Sequence, residues 1–328
     1  MATKIRAVVV GGGWGRNHAL AYQQHPDAEL LGIIGRVGSE KTRALAREMQ
    51  VPVYLGLAET LEKLQPDVLS CAAGEADHEE VTVTALEAGC HVCCEKLLAD
   101  TVAGAERMVA AAQRTGRQLM CSYNYRFSPS ALKLRELVES GELGHLAFAT
   151  AFTFGYCLHH TLDLVCSLLG SVEEVYCVHR ADPPEPPAMG YERYREFVYS
   201  GGLYRSISLK FTNGALATLI SSDYMRVGHP AVRVDLVGSK ARANMADIVG
   251  TVTVYREDRQ ATVWMPSLIL DRLDLPSLTQ TAVSRFIDAI RDGQPVPVPG
   301  EDGLDRLRIE RALLQSAQEN RPVRMGEG

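Results

Sequence analysis

Residues 7–19 read AVVVGGGWGRNHA, and this stretch decides the fold. Four apolar residues run into three consecutive glycines, and a fourth glycine follows Trp14. Taken alone, the stretch fits either a phosphate cradle for a dinucleotide or a tight turn between a buried strand and a helix. The two possible registers of a G-x-G-x-x-G pattern are Gly11-x-Gly13-x-x-Arg16 and Val10-x-Gly12-x-x-Gly15.

The residues up to 124 alternate between short apolar runs and amphipathic stretches. The amphipathic stretches include SEKTRALAREM, EEVTVTALEAG and TVAGAERMVAAAQRTG. Apolar runs of this kind predict strands buried on both faces, and the stretches between them predict crossover helices. The pattern therefore predicts an α/β Rossmann domain with a doubly wound parallel sheet over residues 1–124. The predicted strands are 5–10, 30–34, 68–73, 91–94 and 118–121.

The pattern changes after residue 125. One amphipathic helix, SPSALKLRELVESGELG, precedes segments with alternating apolar residues such as HLAFATAFTF, GLYRSISLKF and AVRVDLVGS. These segments predict an α+β domain over residues 125–328 with a large, mostly antiparallel sheet. Partly apolar strands such as ALATLI suggest burial on both sides, so we expect a homodimer or homotetramer.

Composition excludes several classes of protein. The 328 residues carry a formal net charge of −6, which argues against a broad basic surface for nucleic acid. No window reaches the roughly 18 apolar residues of a membrane span, and no secretory leader is recognisable, so we expect a cytoplasmic protein without membrane contact. Most of the eight cysteines lie in apolar runs, which predicts structural burial and no metal site. Metal or redox use is the alternative, because CHVCC contains a C-x-x-C spacing.

Placed after an N-terminal strand in a parallel sheet, the glycine stretch predicts a dinucleotide site. Backbone N–H groups of the turn and of the following helix would face the pyrophosphate. The next predicted strand ends without the carboxylate that usually binds the adenosine ribose. A guanidinium at that point favours NADP(H) over NAD(H), although a solvated loop charge is the alternative. The predicted cofactor-binding residues of these two loops are Gly11, Gly12, Gly13, Trp14, Gly15, Arg36, Ser39 and Lys41.

Four motifs carry a family resemblance: GGGWGRNHA, ALEAGCHVCCEKLLAD, LMCSYNYRFSPS and HTLDLVCSLLG. Together with the tail FIDAIRDGQPVPVPGEDGLDRLRIERALLQSA, they resemble the Gfo/Idh/MocA family of oxidoreductases over nearly the whole chain. The resemblance implies nicotinamide-dependent hydride transfer on a small-molecule substrate. In that family the EKP signature supplies a lysine beside nicotinamide and substrate, and here the signature is Glu95-Lys96-Leu97. The resemblance therefore implies that Lys96 is the general acid/base and that Ala73, Glu95 and Lys96 lie beside the cofactor. The alternative for Lys96 is a salt bridge to Glu95.

The second-domain signature D-x-G-x-H-x-x-D aligns with Tyr156-x-Leu158-x-His160-x-x-Asp163. The resemblance implies that His160 is a second proton donor or an orienting group for the substrate oxygen, with Tyr156 as a relay. The implied substrate-binding residues are Tyr123, Asn124, Tyr156 and Asp163. Tyrosine and leucine in place of aspartate and glycine make the pocket more apolar, so the sugar specificities known in the family are not carried over.

We therefore predict an NADP(H)-dependent oxidoreductase, without a metal, that acts on a carbonyl or alcohol carbon. Its substrate would be small, either derived from a sugar or a secondary metabolite. Two alternatives remain open at this point: a catalytically silent NADP(H)-binding sensor or subunit, and a reductase of an imine or a conjugated acceptor.

Overall fold

The computed structural model describes residues 4–36, 39–181, 203–222, 232–258, 260–266 and 275–327. The chain forms two compact units. The first comprises Met1–Asn124 and Leu273–Leu307, and the second comprises Tyr125–Arg272 and Arg308–Gly328.

The predicted second domain takes in every residue from 125 to 328, whereas residues 273–307 group with the first unit. The helix Leu275–Arg291 belongs to the first unit, because its side chains are bound there at both ends. Asn124 donates from Nδ2 to Thr279 Oγ1 at 2.9 Å, and Arg291 forms an ion pair with Asp27 at 2.7 Å. The change of pattern at residue 125 does not reveal that the later segment 273–307 packs with the first unit.

The first unit is built on a parallel sheet of six strands in the order β3-β2-β1-β4-β5-β6. This order confirms the predicted doubly wound fold, and the order reverses between β1 and β4, where open α/β sheets bind ligands at the carboxyl ends of their strands. The strands are β1 Ile5–Val10, β2 Ala28–Gly35, β3 Val53–Leu55, β4 Val68–Cys71, β5 His91–Cys94 and β6 Leu119–Cys121. The helices are α1 Gly15–Gln24, α2 Glu40–Met49, α3 Leu57–Leu64, α4 Glu75–Glu87, α5 Val102–Thr115 and, from the later segment, α8 Leu275–Arg291.

The second unit contains a sheet of nine described strands in the order β14-β13-β12-β11-β7-β10-β9-β8-β15. All neighbours in it are antiparallel except β7 and β10, which confirms the predicted mostly antiparallel sheet. The strands are β7 Leu146–Phe154, β8 Val172–Ala181, β9 Leu203–Phe211, β10 Leu216–Ser222, β11 Val232–Gly238, β12 Ala241–Met245, β13 Val252–Arg256, β14 Ala261–Trp264 and β15 Val323–Arg324. The helices are α6 Pro129–Glu139, α7 Leu158–Leu169 and α9 Gly300–Glu319, the last of which crosses from the first unit into the second.

One face of this second sheet exposes large apolar side chains beside an ion-paired group formed by Arg233, Asp235 and Arg242. Large apolar side chains on different strands lie on the surface at 37–57% exposure, whereas the residues that alternate with them are buried. A half-buried antiparallel sheet usually carries polar residues on its open face, so this face is unusual for a surface in contact with water. The exposed side chains are Phe152, Val178, Tyr204, Leu216, Tyr255 and Val263.

A search of the described helices for membrane spans finds no helix with the length and hydropathy needed to cross a bilayer.

Candidate active site

The glycines of the loop between β1 and α1 play different parts. A Cβ on Gly11 would lie 2.2 Å from the carbonyl oxygen of Ala72, and φ at Gly11 is +107°, so this position accepts only glycine. A Cβ on Gly12 would lie 2.4 Å from the backbone nitrogen of Thr42, at the start of α2. A Cβ on Gly13 would meet no atom within 4 Å. Gly11 and Gly12 are therefore required by the fold itself, while Gly13 borders open space.

Gly15 decides the register of the motif. It is the first residue of α1, and a Cβ there would lie 3.1 Å from Val9 Cγ1 of β1. In the dinucleotide-binding motif, the last glycine allows the helix to pack closely against the strand. The geometry favours Val10-x-Gly12-x-x-Gly15. In the other register the last position is Arg16, which instead forms an ion pair with Glu48.

The start of α1 is suited to an anion. Trp14 occupies the N-cap and makes no side-chain cap hydrogen bond. The N–H groups of Arg16 and Asn17 bond to the carbonyl oxygens of Gly13 and Trp14 at 3.2 and 2.9 Å, so an anion would be bound by the N–H groups of the preceding turn. The helix dipole adds positive potential there. This amide-lined turn next to the open space at Gly13 fits a diphosphate.

Arg36 follows β2 directly and contacts the carboxylate of Asp77 in α4. The guanidinium remains 77% exposed, so the ion pair is a surface pair of small energetic weight. Ser39 caps α2 by accepting from the Thr42 backbone N–H at 3.3 Å, and Lys41 is exposed. The structure thus places these three predicted phosphate ligands around the N-terminus of α2, with Arg36 tied to Asp77.

Glu95 and Lys96 follow β5 at the same edge of the sheet. The Glu95 backbone N–H donates to the Cys71 carbonyl at 2.8 Å, and its side chain is buried. Its Oε2 accepts from the Lys96 backbone N–H at 3.3 Å. Lys96 is half-buried, and the Lys96–Leu97 peptide bond is cis.

A buried chain of polar groups holds Glu95 in place. Its Oε1 lies 3.0 Å from Nε2 of His18, whose Nδ1 lies 3.0 Å from Ser70 Oγ. Ser70 Oγ also lies 2.9 Å from the Tyr22 hydroxyl. Burial by itself would raise the pKa of Glu95, but the hydrogen bond with His18 and the charges of His18 and Lys96 outweigh it and lower that pKa. Glu95 is therefore a buried carboxylate that stays ionised.

Our sequence reasoning missed His18, although the residue stands in the quoted stretch GRNHA on the buried side of α1. It missed Glu75 as well. Burial raises the pKa of Glu75 to about 7, although the positive charges of Lys96 and His78 act in the opposite direction. A carboxyl group with this pKa near Lys96 gains or loses its proton at neutral pH.

Ala73 lies in the turn between β4 and α4. Its carbonyl oxygen is 3.3 Å from Nε2 of His78, and Nδ1 of His78 is 2.8 Å from the Leu97 carbonyl oxygen. His78 thus joins the turn after β4 to the turn after β5.

In the second unit, α7 carries the signature histidine and aspartate. Asp163 is fully buried and forms a bidentate pair with Arg126, at 2.7 Å from Nε and 2.5 Å from Nη2. The ring of His160 is 4% exposed and stacks on Tyr125, with 4.5 Å between the ring centroids. Both side chains are therefore held in fixed orientations. The geometry gives Asp163 a positioning role, and its implied contact with substrate stays a prediction.

The remaining predicted substrate ligands are less exposed than expected. Tyr123 is fully buried, and Asn124 is 2% exposed with its amide bound to Thr279. Tyr156 lies in the single turn Gly155–Cys157, and its side chain is outside the described part of the chain.

Two family models match the chain. The first, described as an oxidoreductase family with an NAD-binding Rossmann fold, covers residues 5–123. The second, described as the C-terminal alpha/beta domain of the same oxidoreductase family, covers residues 148–325. Between them they span the parallel sheet with its glycine loop and almost all of the antiparallel sheet.

Two curated relatives are similar over almost the full length. Myo-inositol 2-dehydrogenase of Thermotoga maritima is 27% identical, over 98% of this chain and 99% of the relative. D-apiose dehydrogenase of Paraburkholderia graminis is 24% identical, over 98% of this chain and 90% of the relative. Among solved structures, levoglucosan dehydrogenase in complex with NADH and levoglucosan superposes with a TM-score of 0.86 at 18% identity, over 99% and 100% of the two chains. At that identity, the likeness shows a shared fold.

Proposed function

This chain belongs to the Gfo/Idh/MocA family of oxidoreductases, and we propose that it transfers hydride between NADP(H) and a carbonyl or alcohol carbon of a small substrate. The names of the relatives, which act on inositol, apiose and levoglucosan, support a polyol or sugar-derived substrate. The substitutions at Tyr156 and Leu158 support a member of that class with a less polar face than a free sugar.

One observation carries the proposal. Lys96 leaves the carboxyl end of β5 next to an ionised, buried Glu95, which His18 holds from α1. The same helix begins at the glycine loop that offers amides and open space to a diphosphate. Helix α1 therefore connects the predicted diphosphate site at its start with Glu95, which directly precedes the predicted proton donor Lys96.

The residues present fit a nicotinamide dinucleotide. The diphosphate would bind in the space at Gly13, at the start of α1. The rest of the cofactor would lie along the turns after β4 and β5, which contain Ala73 and Glu95. When bound, the nicotinamide supplies or accepts the hydride. The protein binds the phosphates, fixes the orientation of the ring and provides a proton for the substrate oxygen.

In this proposal Lys96 moves that proton. As an ammonium group it protonates the oxygen of a carbonyl that is being reduced, and as an amine it takes the proton from an alcohol that is being oxidised. Glu95 keeps a negative charge next to it, and Glu75 provides a further titratable group in the same part of the first unit. For His160 we propose the role that the resemblance implies, with its ring orientation fixed by the stack on Tyr125.

The preference for NADP(H) rests on the residues that follow β2. No carboxylate stands at the end of the strand, and Arg36 begins the loop in front of α2. In this proposal the guanidinium exchanges Asp77 for the 2′-phosphate, which Arg can bind through two hydrogen bonds. Loss of an exposed ion pair costs little, so the exchange is favourable.

A second candidate, the silent sensor or subunit, is favoured by the departures from the family pattern at Leu97 and Tyr156. The test is NADPH oxidation over a panel of polyol-derived ketones, aldehydes and imines, with reverse assays on the alcohols. Turnover on any carbonyl substrate supports the oxidoreductase proposed here, whereas turnover on imines alone assigns imine reduction. Tight NADPH binding without any turnover would contradict catalysis and assign the sensor.

The exposed apolar face of the second sheet supports a homodimer or homotetramer as the active form. A second copy of the chain would cover Phe152, Leu216 and Tyr255 and remove them from water.

A further inference from the structure

Three metal-ligating side chains meet in the first unit, beneath the turns that follow β4 and β5. Cys71 ends β4, Cys94 ends β5, and His78 stands in the first turn of α4. All three side chains are buried, and one ligand atom from each lies within 4.8 Å of the other two. We call these residues the thiol–imidazole cluster. Nothing in the proposed hydride transfer uses it.

Strand register brings the two sulfur atoms together. Cys71 and Cys94 are direct partners in the parallel ladder of β4 and β5, so both side chains lie on the same face of the sheet. The Cys94 thiol donates to the Leu98 carbonyl oxygen at 3.8 Å. Cys93, one residue earlier, pairs with Ser70 and points to the opposite face. The two facing thiols are therefore a product of the register and not of the high cysteine content alone.

The third member is already oriented as a ligand. Both ring nitrogens of His78 face carbonyl oxygens, Nδ1 that of Leu97 at 2.8 Å and Nε2 that of Ala73 at 3.3 Å. In the tautomer with its proton on Nδ1, the shorter contact is a hydrogen bond and Nε2 offers a lone pair. Metal-binding histidines usually donate their other ring N–H to a carbonyl or carboxylate in this way. The contact of Nε2 with the Ala73 carbonyl is longer, at 3.3 Å, and a neutral imidazole with its proton on Nδ1 gives it up without loss.

We propose that Cys71, Cys94 and His78 bind a thiophilic d¹⁰ cation, with Zn²⁺ as the representative ion. Two thiolates and one neutral imidazole are a donor set that such ions prefer. The two negative charges would neutralise the charge of the divalent ion in this buried site. Tetrahedral bonds of normal length need ligand atoms about 3.5–3.8 Å apart, so distances of up to 4.8 Å have to shorten by at most about 1.3 Å. The bound ion would tie together the ends of β4 and β5 and the start of α4.

The test uses the full chain, purified under reducing conditions and stripped with a chelator. Cd²⁺ is the optical probe, since thiolate ligation gives an ultraviolet charge-transfer band, and bound zinc is counted by elemental analysis after dialysis against Zn²⁺. We expect one ion per chain in the unsubstituted protein. Cys71→Ser, Cys94→Ser and His78→Gln should each weaken binding by about 10-fold or more, because each removes one of only three ligands.

Cys93→Ser is the matched control, because it alters an equally buried cysteine on the same strand but on the other face. It should retain the full band and stoichiometry. Thermal melts and NADPH binding, recorded on every variant, separate loss of the ion from loss of the fold, and they also separate this inference from the proposed function. Absence of Cd²⁺ and Zn²⁺ binding in the unsubstituted protein would overturn it. So would an equal loss in Cys93→Ser, or a Cys71–Cys94 disulfide in the reduced preparation.

Discussion

His18 Nε2 and Glu95 Oε1 lie 3.0 Å apart in the interior of the first unit, although 77 positions separate the two residues in the sequence. The contact links the helix that begins at the glycine loop to the turn that carries Lys96. It also supplies the charge-assisted hydrogen bond that keeps Glu95 ionised despite its burial. The first prediction follows from the position of Lys96 beside this pair.

Lys96→Ala should lower kcat by about 100-fold or more, because in the proposed mechanism it removes the group that transfers the proton. The affinity for NADPH should change little, since the phosphates are bound elsewhere. Steady-state kinetics and a fluorescence titration measure the two effects separately. Lys63→Ala, which removes a lysine of α3, is the matched control and should retain full activity. Normal turnover in Lys96→Ala would take Lys96 out of the mechanism.

Glu75→Gln should change how stability depends on pH. Because the pKa of Glu75 is raised to about 7 in the folded protein from an ordinary value of 4.5, the folded state binds the proton more tightly than the unfolded state. This contribution to stability is complete below pH 4.5 and is lost as the pH rises to about 7. The variant should therefore melt a few degrees above the unsubstituted protein at pH 8 and at the same temperature near pH 4.5.

Glu80→Gln changes an exposed glutamate of the same helix and is the control for this effect. Its melting temperature should follow that of the unsubstituted protein throughout the pH range. Equal melting of Glu75→Gln and the unsubstituted protein at pH 8 would show that Glu75 is not desolvated as the structure indicates.

Arg36→Ala should weaken NADPH binding by about 10-fold, the equivalent of about 1.4 kcal/mol, and leave NADH binding unchanged. Asp77→Asn should act in the opposite direction, because it frees the guanidinium for the 2′-phosphate. Isothermal titration of the unsubstituted protein and of each variant with NADPH and with NADH gives the affinities to compare. Arg47→Ala breaks a comparable surface pair with Glu40 and should affect neither cofactor. Equal losses for NADPH and NADH in Arg36→Ala would refute the assignment of the 2′-phosphate site.

Phe152→Glu should dissociate the proposed oligomer, because it places a charge among the exposed apolar side chains of the second sheet, where the native side chain is 41% exposed. Leu132→Glu alters an equally exposed apolar residue, 42% exposed, on α6 and should leave the assembly intact. Light scattering measures the mass of both variants and of the unsubstituted protein. A monomer for the unsubstituted protein at micromolar concentration would remove the basis of the prediction.

The elements that sequence patterns predicted well are those with a complete apolar signal. Strands β1, β4 and β5 are buried along most of their length and consist mainly of apolar residues. Strand β3 was missed, because it has three residues and exposes both Val53 and Leu55. A strand at the edge of the sheet that faces water leaves no periodic pattern to detect.

The site was predictable only where a motif is local. The glycine loop and Glu95-Lys96 are contiguous in sequence, so their signature is readable. The contact of His18 with Glu95 and the register of Cys71 against Cys94 join distant segments, and they depend on which strands become neighbours. One sequence holds no direct record of such pairings, so the ionised state of Glu95 and the facing thiols emerge only from the structure.

The central claim is that the amide-lined turn at Gly13 binds the diphosphate of a nicotinamide dinucleotide. The most direct measurement is a calorimetric titration of the unsubstituted protein and of Gly13→Val with NADPH, with the melting temperature of each recorded. A Cβ at Gly13 meets no protein atom, so the variant should fold normally, while its side chain fills the space that a phosphate needs. We predict saturable binding by the unsubstituted protein and a loss of about 10-fold or more in the folded variant. Equal affinities, or no heat from either protein at cofactor concentrations up to about 1 mM, the upper end of the usual range of KM values, would contradict this proposal.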